Sequence, residues 1–116
     1  MMSRTRRKRR TTERELDLVF RALSDGTRRR LLANLTQGPA MVTELAEPFA
    51  ISLPAVSRHL RVLEGAGLIR RSIDGRIHRC SLAAQPLRDA LEWLDRYRPF
   101  WEQTLDALSR YVEGDA

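Results

Sequence analysis

Six arginines fall between Ala55 and Cys80, namely Arg58, Arg61, Arg70, Arg71, Arg76 and Arg79, opposed only by Glu64 and Asp74. A guanidinium is planar, permanently charged and carries its donors in a fork, so an ordered group of them suits phosphates and the O6/N7 edge of guanine. Ser57 and His59 flank Arg58 and add a hydroxyl and an imidazole with the reach of a base or a phosphate. Catalytic sets are missing from the sequence: it holds no Ser-His-Asp or Cys-His arrangement and no phosphate-binding glycine loop. Metal ligands are equally sparse, with His59, His78 and the single Cys80. Asp89, Glu92 and Asp95 recur at i, i+3 and i+6, which is the pattern of solvated acids on an exposed helix face. Neither a cofactor nor a metal is expected.

Side chains of this kind need a rigid support, and the apolar periodicity supplies one. Thr12 and Glu15 stand at capping-box spacing and open a first helix carrying Leu16, Val19, Phe20 and Leu23 on one face. Asp25 caps a second helix through about Thr36, with Leu31, Leu32 and Leu35 inward and Gly38-Pro39 as the stop. A short third helix is expected from Val42 to Phe49, with Leu45, Ala46 and Phe49 facing in. Ser52 caps a fourth, and Pro54 falls in its first turn, where a missing N–H costs nothing. Val56, Leu60 and Leu63 form its inner stripe, which leaves Pro54, Arg58 and Arg61 outward and Ser57 and His59 on the flanks. Gly65 and Gly67 end it. The run Leu68–Ile73, then Asp74-Gly75, then Arg76–Leu82 reads as a β-hairpin. Gln85-Pro86 opens a last helix with Leu87, Leu91 and Leu94 on one face. Pro99 should kink or break it before Trp101, Leu105, Leu108 and Val112 resume the pattern.

The expected fold is mainly α with a small β-hairpin: four helices, two strands and a last helix, the order of a winged helix-turn-helix. The major groove of B-DNA admits one helix, so the fourth presents its outer face to base edges. The hairpin tip, Asp74-Gly75-Arg76, then places Arg76 in the adjacent minor groove or on its phosphates.

With 116 residues the chain fits one domain of ordinary size. Its net charge of +6 comes from residues 1–12, where Arg4, Arg6, Arg7, Lys8, Arg9 and Arg10 meet no acid; the rest balances 15 bases against 15 acids. Residues 1–11 are therefore expected to be a disordered basic arm, and 12–116 the folded domain. From Ala84 onward acids outnumber bases, so the polyanion-facing part is the middle third. No apolar run exceeds three residues, too short for a membrane span or a signal-peptide core. One cysteine makes no internal disulfide and suits the reducing cytoplasm, the expected location.

The stretches Leu23-Ser24-Asp25-Gly26-Thr27-Arg28-Arg29-Arg30-Leu31-Leu32, Thr43-Glu44-Leu45-Ala46 and Leu53-Pro54-Ala55-Val56-Ser57-Arg58-His59-Leu60-Arg61-Val62-Leu63-Glu64-Gly65-Ala66-Gly67-Leu68 resemble the ArsR/SmtB family of winged-helix repressors. The resemblance runs from about Val19 to Leu82. It implies a homodimer with paired first and last helices, a recognition helix at 53–64, and binding to double-stranded DNA at an inverted-repeat operator. Carried over by position, the base-reading candidates are Leu53, Pro54, Ser57 and Arg58, with the wing around Gly75. Leu53 stands where the family often has a polar residue. Met41-Val42-Thr43 matches the place where metal-sensing members carry Cys-Val-Cys and offers no thiolate pair. Cys80, where the family often has an aromatic, reads as a small buried hydrophobe. Trp93, Tyr97, Phe100 and Trp101 read as core or dimer packing. No effector is legible, and a protein-interaction winged helix or a non-specific nucleic-acid binder driven by the arm are the alternative functions.

Overall fold

Six helices and three strands make up residues 12–114, which the computed structural model describes. Helix α1 spans Glu13–Leu23 and starts with the capping box: Thr12 Oγ1 accepts from the Glu15 N–H at 3.1 Å, and Glu15 Oε1 accepts from the Thr12 N–H at 2.9 Å. Helix α2, Gly26–Leu35, is capped by Asp25, whose carboxylate accepts from the Arg28 N–H at 3.0 Å. The side chains of Arg28 and Arg29 turn back over the end of α1. Arg28 Nε donates to Ala22 O at 2.7 Å and Arg29 Nη1 to Leu23 O at 2.7 Å, satisfying carbonyls that a helix C-terminus leaves open. Arg30 lies 4.5 Å over the Phe49 ring.

Strand β1, Ala40–Met41, was not expected; two residues carry no period for a sequence pattern to reveal. Helix α3 covers only Val42–Ala46 instead of reaching Phe49. Pro48 has no N–H to continue the ladder, so the chain turns there and Phe49 packs at the edge of the core. Helix α4 spans Leu53–Gly65 and leads into β2, Ile69–Asp74, and β3, Ile77–Leu82. The sheet is antiparallel in the order β1-β3-β2, with Cys80 opposite both Ala40 and Arg71. The expected last helix is two helices, α5 at Gln85–Asp95 and α6 at Arg98–Gly114. Pro99 sits in the first turn of α6, where its missing N–H breaks no bond, and the interruption falls just before it at Arg96-Tyr97.

Leu31, Leu60, Leu63, Leu68, Val19, Val56 and Cys80 form the fully buried centre. Each leucine sequestered this way contributes about 1.5–3 kcal/mol before the entropy of ordering it. Burial pushes the Cys80 thiol pKa up, keeping it a neutral packing group. Leu16 and Val19 on the inner face of α1 are buried within the protomer. Among the described residues no helix is long and apolar enough to cross a membrane.

Candidate nucleic-acid interface

Helix α4 is fixed at both ends and along one side. Ser52 Oγ accepts from the Ala55 N–H at 3.2 Å, and Pro54 sits in the first turn. At the other end the Leu68 N–H donates to Leu63 O at 3.0 Å and the Gly67 N–H to Glu64 O at 2.9 Å. This is a Schellman closure, and Gly67 takes the left-handed φ of +77° that it requires. Between these ends Val56, Leu60 and Leu63 are wholly buried. The outer face of the helix is therefore held in place by its inner one, as a surface that reads base edges must be.

On that outer face Leu53, Pro54, Arg58 and Arg61 are exposed, and Ser57 is partly exposed. Arg58 makes no hydrogen bond or ion pair within the described residues, so its fork is available to a ligand. His59 sits on the flank of this face with its Nδ1 turned toward α2. Its Nδ1 lies 3.2 Å from Arg28 Nη1 and 3.9 Å from Asp25 Oδ2, at the corner between α1 and α2. The Arg28 backbone N–H bond, aided by the nearby Arg28 guanidinium, holds the Asp25 carboxyl below the usual carboxylate range.

The wing turns through the two residues Gly75-Arg76, because Asp74 pairs directly with Ile77. Gly75 has φ +62°, whereas Arg76 does not have positive φ, which is the type II′ pattern with glycine first. Arg76 is exposed and unpaired, with Ile73 and Ile77 as exposed apolar neighbours. The base of the wing is tied to α4 by an ion pair between Arg71 Nε and Glu64 Oε1 at 3.5 Å. The Arg71 side chain is only 15 % exposed.

A groove of about 550 Å³ runs between α4 and the wing. It brings together Leu53, Ser57, Arg61 and Arg76 from the sequence-derived set. Pro54, Arg58, His59 and Gly75 lie outside its lining. Glu64, Arg71 and His78 are the ionisable lining residues that the sequence-derived site set leaves out. The parity of β2 was the available signal for Arg71, since period two sets it on the same face as the buried Ile69 and apart from the exposed Arg70. Among the described residues no group of three or more His, Cys, Asp or Glu gathers at metal-binding spacing.

Residues 23–72 match the profile of a helix-turn-helix domain family. The chain is 35 % identical over 105 residues to the HTH-type transcriptional regulator Rv2034 of Mycobacterium tuberculosis, covering 90 % of this chain and 95 % of that one. It is 38 % identical over 76 residues to the transcriptional repressor SdpR of Bacillus subtilis, covering 66 % and 84 %. Among solved structures, the ArsR family transcriptional regulator RHA00566 superposes with a TM-score of 0.74 at 37 % identity, over 81 % of this chain and 97 % of that one.

Proposed function

The chain belongs to the ArsR/SmtB family of winged helix-turn-helix transcriptional regulators, and from that membership we propose that it is a dimeric repressor that binds an inverted-repeat operator without a thiolate metal site. The observation that carries this reading is the outward face of α4, held rigid from beneath, with the unpaired Arg58 beside Ser57. In the proposal α4 enters the major groove and Arg58 forks onto guanine O6 and N7, with Ser57 adding one directed contact. Leu53 and Pro54 meet thymine methyls or the groove wall, and Arg61 meets the backbone at the edge of the helix. Gly75 allows the wing to turn tightly enough for Arg76 to reach the neighbouring minor groove or its phosphates. Residues 1–11 lie outside the described part of the chain, and the proposal gives their six bases a sequence-independent role on phosphates.

Dimerisation is supported by the surface of α5 and α6. No residue of α6 is buried, yet Phe100, Trp101, Leu105, Leu108, Tyr111 and Val112 lie along it, with Leu91 and Leu94 exposed on α5. So large an apolar face favours a covering surface, and a second copy meets it isologously. Met41 and Thr43 flank Val42 at the start of α3 with a thioether and a hydroxyl, which supply no thiolate pair for zinc, cadmium or arsenite. Such a protein works where DNA is directly accessible, in the cytoplasm of a cell without a nucleus.

Footprinting on the duplex flanking its own gene, followed by selection from a random duplex pool, tests the proposal. The expected result is protection of an inverted repeat with half-sites about one helical turn apart. Equal binding to every duplex, or none, would overturn it.

A further inference from the structure

Arg28 stands where three elements meet. Its Nε and Nη2 donate to Ala22 O at 2.7 Å and Arg21 O at 3.2 Å, which fixes the guanidinium plane against the end of α1. The remaining Nη1 points at His59 Nδ1 on α4, 3.2 Å away. A guanidinium has no acceptor and stays protonated, so Nδ1 must be the acceptor in this contact. In the neutral ring the proton then resides on Nε2, because the bond made by one ring nitrogen decides where the proton sits. Asp25 pulls the other way: its Oδ2 lies 3.9 Å from the same Nδ1 and favours a proton there. That oxygen already accepts the Arg28 backbone N–H at 3.0 Å, so the shorter and unshared contact is the one from Arg28. The His59 side chain retains 24 % exposure and directly follows Arg58, at the edge of the base-reading face.

We propose that Arg28 is a positioning residue that selects the Nε2–H tautomer of His59, and that His59 delivers this N–H to an operator phosphate beside α4. The phosphate contact rests on the DNA-binding reading above; the tautomer does not. A neutral imidazole with a fixed donor restricts the direction of approach, which a mobile lysine or arginine in its place would not do. The contact thereby sets the register of α4 along the groove while Arg58 and Ser57 read bases.

Long-range ¹H–¹⁵N correlation of the imidazoles in the full-length, DNA-free protein, at the high-pH plateau, reads the tautomer directly. Wild type is expected as Nε2–H. Arg28→Met removes the donor and leaves Asp25, so the ring inverts to Nδ1–H. Arg28→Lys replaces it should Arg28→Met fail to fold, since a single ammonium nitrogen cannot stand at the three places from which Nε, Nη1 and Nη2 make their contacts. Asp25→Asn keeps the helix cap and leaves Nε2–H in place. A wild-type Nδ1–H ring, or a ring unmoved in both Arg28 variants, overturns the tautomer assignment. Operator titration then tests delivery. His59→Asn keeps an acceptor near Nδ1 but has nothing at Nε2, and about tenfold weaker binding is expected, the scale of one hydrogen bond to a charged group. His59→Gln places an amide N–H near Nε2 and should bind within about twofold of wild type on the same scale. Equal affinity for all three refutes the phosphate contact, even with the tautomer as expected. A wild-type protein that binds no duplex defeats the DNA-binding reading and leaves the imidazole spectrum to be judged on its own.

Discussion

Leu105 lies in the middle of the apolar face of α6 and is 62 % exposed, so it adds little to the packing of its own protomer. Burying a whole leucine is worth about 1.5–3 kcal/mol, and covering the exposed fraction of this one therefore about 1–2 kcal/mol. In a twofold interface each substitution acts twice, so Leu105→Glu should weaken the dimer by about 2–4 kcal/mol, or ~30- to ~1000-fold in dissociation constant. The two carboxylates that replace the leucines add a desolvation cost in the same direction. Sedimentation equilibrium across micromolar concentrations measures the constant, and the cooperative melting of the winged-helix core should persist because no residue of α6 belongs to that core. Operator affinity should fall with dimerisation, while binding to an isolated half-site stays near the wild-type value. A wild-type protein that sediments as a monomer, or a variant with an unchanged dimer constant, would refute this use of the α5–α6 face.

Deleting residues 1–10 should weaken binding to operator and random duplex alike and flatten the salt dependence, by roughly 0.9 in slope for each phosphate no longer neutralised; a change in sequence preference would contradict the role given to the arm. Stoichiometric zinc, cadmium or arsenite should leave operator affinity unchanged, since Met41 and Thr43 supply no thiolate pair; a chelator-reversible tenfold loss would count against it. Asp25 has a lowered pKa, so its contribution to stability is complete above the unfolded carboxylate value of about 4 and disappears as pH falls through the lower folded value. Melting temperatures of wild type and Asp25→Asn should therefore converge on acidification below about pH 4, and parallel curves would contradict the linkage.

The helical frame was legible because its signals are local and redundant. Thr12 with Glu15, Asp25, and Ser52 with Pro54 each announce a helix start, and each forms the expected cap. The apolar spacing of Val56, Leu60 and Leu63 likewise identified the buried side of α4. What stayed hidden depends on contacts across the chain. Strand β1 exists only because Ala40 and Met41 pair with Cys80 and Arg79. The Arg28-Arg29-Arg30 run has the composition of a polyanion site, yet two of its members close α1 and the third covers Phe49. His59 sits on a flank of α4, and only the packing of α2 beside it decides which ring nitrogen is engaged. The shortened α3 was readable after all, since Pro48 stands within the run assigned to it.

Titration of wild type and Arg58→Ala against operator and scrambled duplex, at two salt concentrations, bears most directly on α4 as the sequence-reading element. Removing a bidentate guanine pair should cost about 1–3 kcal/mol on the operator, a ~5- to ~150-fold drop in affinity, with little change on scrambled DNA. The ratio between the two duplexes should therefore collapse while the salt slope is nearly kept. An Arg58→Ala protein that discriminates as well as wild type, or one that binds both duplexes equally more weakly, would contradict the account.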